Sequence, residues 1–130
     1  MEHLEDRDVP TEVAPDGSQV RPLLSLDNVT TARFEFAGGS VSVAVQHRTV
    51  SEVWHVVSGS ADFWTSTSPT GAVHVAAGHH LSITPGEQFQ VRVTSEESLI
   101  VLGVTTPPWP GEGEAMVVEG PWTPTLTGGE

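Results

Sequence analysis

The sequence predicts an all-β domain built as a sandwich, barrel or double-sheet jelly roll, and three observations carry that prediction. Short runs rich in Val, Ile, Phe, Trp and Thr follow one another, several alternating with period two. Turn signals separate them: Gly38-Gly39, Ser58-Gly59-Ser60, Ser68-Pro69-Thr70-Gly71, Ala77-Gly78, Pro85-Gly86 and Ser95-Glu96-Glu97-Ser98. No segment of roughly ten or more residues holds an i, i+3, i+4 apolar stripe, so helix should be nearly absent. At 130 residues and 37% hydrophobic, the chain suits one domain with a real core.

Residues 1–18, MEHLEDRDVPTEVAPDGS, are polar and broken by Pro and Gly, and read as a loosely ordered acidic arm. The barrel is expected over 19–106. About eight strands are predicted there, in TARFEFAGG, SVSVAVQH, SEVWHVVSG, SADFWTST, VHVAA, LSITP, FQVRVTS and SLIVLGVTT. Residues 107–130 are rich in Pro and Gly yet hold Trp109, Met116 and Trp122, so this segment is predicted to be extended and pinned to the barrel.

Lys and Arg total 5 against 17 Asp and Glu, a formal net charge of −12, and every basic residue is an arginine. Such a field repels nucleic acid and anionic membranes and leaves small molecules or proteins as partners. With Cys at 0, disulfides, thiolate metal sites and cysteine nucleophiles are excluded. No apolar run approaches the roughly 18 residues of a membrane helix, and the start MEHLEDRD is acidic; a cytoplasmic location is the expectation.

Two spaced motifs add a family. Gly39, five residues, Val45-Gln46-His47, four residues, Glu52, six residues, Gly59 follows one pattern. Gly78, five residues, Thr84-Pro85-Gly86, two residues, Phe89 follows another. Together they resemble the paired motifs of the cupins, and HRTVSEVWHVVSG with PPWPG is similar to a group of small single-domain cupins. The resemblance implies a jelly-roll barrel of roughly six to eight strands with a ligand pocket at one mouth, often as a homodimer. Metal-binding cupins draw two histidines and a glutamate from the first motif and one histidine from the second. Here Val45 and Phe89 occupy two of those positions, and His47 and Glu52 remain. No cofactor is therefore expected. The alternative is one divalent transition metal at His47 and Glu52, completed by donors such as Gln88, or Gln46 after a register shift.

Side chains alternate along a strand. With His47 inward, Val41, Val43 and Val45 share its face, and Ser42, Ala44 and Gln46 turn outward. Glu52 brings Trp54 and Val56 inward, and Phe89 brings Val91 and Val93; Leu81 and Ile83 complete the wall. His47 and Glu52 flank Arg48-Thr49-Val50-Ser51, read as a four-residue hairpin connection that would set them roughly 5 Å apart at Cβ and able to touch.

Such a dyad can act as acid and base, hold a metal in part, or simply satisfy itself by hydrogen bonding. The reading adopted is a small-molecule site performing proton transfer, such as isomerisation, cyclisation or elimination. His47 is its base or acid and Glu52 its orienter. Arg48 receives an anionic group, Val45, Phe89 and Trp54 line the cavity, and Trp109 lies over the mouth as a lid. The alternatives are a metal-dependent oxygenase or lyase and a non-catalytic metabolite-binding module. Glu52-Val53-Trp54-His55 spells E-x-x-H, but on a strand i and i+3 point to opposite faces, so His55 is placed outside. His79-His80 read as a surface pair, His74 as an edge residue, and Trp64 and Trp122 as core.

Overall fold

The computed structural model describes residues 1–129. Its strands are β1 (Glu12–Val13), β2 (Gln19–Leu26), β3 (Val29–Phe36), β4 (Val45–His47), β5 (Ser51–Ser58), β6 (Ser60–Thr65), β7 (Ala72–Ala76), β8 (His80–Ile83), β9 (Gln88–Val93), β10 (Leu99–Thr106) and β11 (Ala115–Val117). They form two antiparallel sheets, ordered β1-β2-β3-β10-β5-β8 and β11-β4-β9-β6-β7. A single 3₁₀ turn at Asp6–Asp8 is the only helical element among the described residues. The fold is thus the expected all-β jelly roll, and among the described residues no helix is long and apolar enough to cross a membrane.

The core lies between the sheets. Strand β10 alternates Leu99, Val101, Gly103 and Thr105 inward, and β5 alternates Glu52, Trp54 and Val56. Trp54 sits at the centre, with Phe34, Phe36, Phe63 and Phe89 rings 5.5 to 6.0 Å from it. Offset and edge-on arrangements at such distances add to the area these rings remove from water. Trp64 and Trp122 are only half-buried rather than core: Trp64 alternates outward on β6, and Trp122 stacks beneath the Arg92 guanidinium, 4.3 Å from its ring.

The expected β4–β5 hairpin does not form, because β4 and β5 belong to opposite sheets. The connection turns a corner at Arg48–Val50, and Glu114 holds it there. The Glu114 carboxylate accepts from the Thr49 N–H, the Val50 N–H and the Thr49 hydroxyl, while its backbone carbonyl accepts from the Arg48 N–H at 2.9 Å. Val50 then inserts fully into the interior.

Segments near each end of the chain are built into the fold. Residues 12–18, expected within the loose arm, include β1 and the buried Ala14, Asp16 and Ser18. The Asp16-Gly17-Ser18 turn closes on itself, with Asp16 Oδ1 accepting from the Ser18 N–H and hydroxyl. At the other end, Thr125 and Leu126 donate to Val41 O, and Gly129 donates to Ala14 O at 2.8 Å. Gly17 lies so close to Leu126 that a Cβ there would come within 2.6 Å of the Leu126 Cβ. The same C-terminal segment covers the outer face of β4 and β9. Gln90 is wholly buried beneath it, donating to Ser42 O and Trp122 O and accepting from the Trp122 N–H. Ser42 and Ala44, outward by parity, are buried for the same reason.

Candidate functional site

One cavity of about 500 Å³ opens between the sheets. His47 on β4 and Glu52 on β5 both line it, as do Val45, Trp54, Phe89 and Trp109. Arg48 does not. It is exposed, and its Nε donates to Gly113 O at 2.7 Å, so it is not placed to receive a ligand's anionic group.

His47 and Glu52 reach the cavity from opposite walls, because the corner at Arg48–Val50 carries the chain from one sheet to the other. They make no hydrogen bond to each other, and the buried His47 Nδ1 has no partner among the described residues. The imidazole lies edge-on to Phe89 at 5.3 Å and to Trp109 at 5.1 Å between ring centroids. Burial among these rings holds its pKa down to about 4, with the Glu114 carboxylate opposing the shift. The imidazole is therefore neutral at physiological pH.

Glu52 is shifted the other way. Burial pushes its carboxyl up to about 8, and the nearby Asp16 carboxylate adds to the rise. The Trp54 indole N–H moderates the shift without completing a hydrogen bond of ordinary geometry. Glu52 pairs in register with Thr105 on β10 and Ile83 on β8. Its side chain passes over Gly103, where a Cβ would lie 3.2 Å from Glu52 Oε2 and 2.7 Å from the Phe34 ring. The glycine makes the room that the carboxyl and the ring occupy.

Several lining residues carried no signal strong enough to find them in the sequence. Asp16 is the foremost. It is 5% exposed, its backbone carbonyl accepts from Val43 N–H at 2.9 Å, and burial raises its pKa. It fell within the segment read as a loose arm, and nothing in the chain showed that its turn lines the cavity. Thr30 and Thr105 share a hydroxyl hydrogen bond at the cavity wall, and Thr30 Oγ1 also accepts from the Trp109 N–H at 3.2 Å. That bond seats Trp109 beside His47.

Comparison with solved structures shows where the same overall fold recurs. A Klebsiella pneumoniae protein with a double-stranded β-helix domain superposes with TM-score 0.71 at 16% identity, covering 92% of this chain and 99% of that one. The polyketide cyclase RemF from Streptomyces resistomycificus gives TM-score 0.74 at 17% identity, covering 92% and 86%. The Streptomyces nucleoside dehydratase Pac13 gives 0.71 at 14%, covering 91% of each chain. This chain has the jelly-roll fold of small cupin-type domains. The sequence matches no family model and no curated protein.

On this fold, the positions at which the resemblance to metal-binding cupins would place two further histidines form an apolar pair. Val45 and Phe89 stand in register on β4 and β9, each 2% exposed. Gln46 and Gln88 pair on the same two strands but do not line the cavity. Among the described residues, no group of three or more His, Asp or Glu side chains is arranged to hold a metal ion. One imidazole and one carboxyl on opposite walls do not fit the cupin metal site, which needs four converging donors. The fold also places other histidines outside the cavity: His55 stacks on His80 at 4.6 Å on the outer face of β5 and β8, and His74 pairs with Asp62 beside the edge.

Proposed function

We propose that this cupin binds a small organic molecule in the cavity and moves a proton on it. His47 is the base and Glu52 the acid, acting from opposite walls on a ligand between them. The observation that carries the reading is that His47 and Glu52 line one cavity from opposite walls and make no hydrogen bond to each other. A pair kept only to satisfy itself would have closed that bond internally, since an unmade buried hydrogen bond costs about 1–3 kcal/mol. The opposed environments supply the two roles at one pH: a neutral imidazole able to accept a proton, and a protonated carboxyl able to donate one.

Eliminations of water, aldol-type cyclisations and keto–enol isomerisations can each use this relay, in which a C–H proton leaves to a base while an oxygen is protonated by an acid. A polyketide cyclase and a nucleoside dehydratase on the same fold support that class, and the crystallised complex of Pac13 with uridine supports a ligand of modest size. The mainly apolar wall, with Trp54, Phe34 and Phe89, offers stacking surface for a ring.

The test follows proton transfer directly. Cyclic ketones and β-hydroxy ketones are incubated with the protein in D₂O, and deuterium incorporation next to the carbonyl is read by NMR. The expected result is incorporation above background that falls about 10²-fold or more in His47→Ala. Equal rates in the two proteins overturn the assignment of His47.

A further inference from the structure

Asp16 gives the cavity a charge preference that neither His47 nor Glu52 accounts for. Asp16, Glu52 and the more exposed Glu12 all line the wall. No arginine does, and the chain has no lysine. Each arginine is engaged elsewhere: Arg7 with Glu5, Arg33 with Asp6 and Glu35, Arg92 with Asp62, Arg21 with Asp6 O, and Arg48 with Gly113 O. A phosphate or carboxylate entering this space would meet acids and no counter-ion, and desolvating it there would be strongly unfavourable.

Asp16 is held in place by atoms that leave part of its carboxylate unused. Oδ1 is occupied twice by Ser18, the backbone carbonyl is fixed by Val43, and Gly17 is wedged against Leu126. Oδ2 makes no hydrogen bond among the described residues and is not fully buried. It is a fixed acceptor at the wall of an aromatic chamber, and aromatic faces also attract cations.

Resting on the small-molecule reading above, we propose that the cavity selects an organic cation, a primary ammonium on an apolar or aromatic body, and that Asp16 Oδ2 is the specificity-determining acceptor for it. The pairing also suits the Glu52 role. Two neighbouring carboxyls share one negative charge more readily than two: burial raises the Asp16 pKa, a bound ammonium would favour its ionised form, and Glu52 would then keep its proton. The net charge of −12 draws cations toward the protein and repels anions.

Three probes of one skeleton test this at pH 7 by calorimetry: 2-phenylethylamine, 2-phenylethanol and phenylacetate. The expected order is amine tightest, alcohol weaker by about tenfold, and acetate weakest or undetectable. In Asp16→Asn, which keeps the acceptor oxygen for Ser18, the amine should lose its roughly tenfold advantage over the alcohol. Alcohol or acetate binding as tightly as the amine in the wild type overturns the cation preference and leaves the small-molecule reading standing. An amine preference that survives in Asp16→Asn overturns the role of Asp16. Binding of none of the three counts against both. The wild-type ranking decides the charge preference even if the variant does not fold.

Discussion

Val45 and Phe89 face each other across β4 and β9, filling with hydrocarbon the two places from which a metal-binding cupin would extend imidazoles. That relationship can be reversed. Val45→His with Phe89→His would return two donors to a wall that already carries His47, with Glu52 opposite. The double variant is expected to retain about one Zn²⁺ or Ni²⁺ per chain after desalting, measured by elemental analysis, and the unaltered protein far less.

Protonation of the two walls can be followed without a substrate. The His47 ring nitrogens should titrate near 4 and the Glu52 carboxyl near 8, read by nitrogen and carbon NMR of labelled protein. Any proton-transfer activity should then rise as pH climbs through about 4, hold across neutrality, and fall through about 8 as Glu52 loses its proton.

Stability carries the same signature. Folded Glu52 keeps to about 8 a proton that the unfolded chain releases near 4.5, so its contribution is present at low pH and lost as pH rises toward 8. His47 runs oppositely: the unfolded chain gains below 6.5 a proton that the folded protein refuses down to about 4, so stability rises with pH across that interval. Above 6.5 the His47 effect fades and the raised carboxyls, Glu52 foremost, govern the slope. Urea unfolding should show stability falling by about 1 kcal/mol from pH 6.5 to 7.5, and Glu52→Gln should remove that fall.

Gly103 should resist any side chain. A methyl group there would press on the Phe34 ring and on Glu52 Oε2 together. Gly103→Ala is expected to cost about 1–3 kcal/mol in denaturant unfolding and to shift the Glu52 titration.

Glu114 should matter as much as the residues it positions. Glu114→Ala strands the Thr49 and Val50 N–H groups at the corner, at a cost of about 1–3 kcal/mol. Denaturation midpoints of this variant and of Glu114→Gln, which keeps one acceptor, should separate the two.

Strands β5, β9 and β10 were legible because one face of each meets the core, and burial writes itself into the sequence as alternation. The cavity-facing positions of His47, Glu52, Val45, Trp54 and Phe89 followed from the same parity. Contact between His47 and Glu52 did not, because the route of the chain between them is decided by Glu114, far away in sequence. Strand β2 escaped notice because Pro22 interrupts its run, and its register with β3 shifts between Pro22 and Ser25. Asp16 was hidden for a related reason: a two-residue strand and a polar turn carry no periodicity, so their burial depends wholly on what the other end of the chain lays over them.

That last dependence reaches further than packing. Because Gly17 rests on Leu126 and Ala14 receives Gly129, a protease cut or a bulky fusion near residue 125 would act on a carboxylate at the opposite end of the polypeptide. Purification handles therefore belong ahead of Met1, where the neighbouring residues are exposed, if ligand preference is to be measured undisturbed.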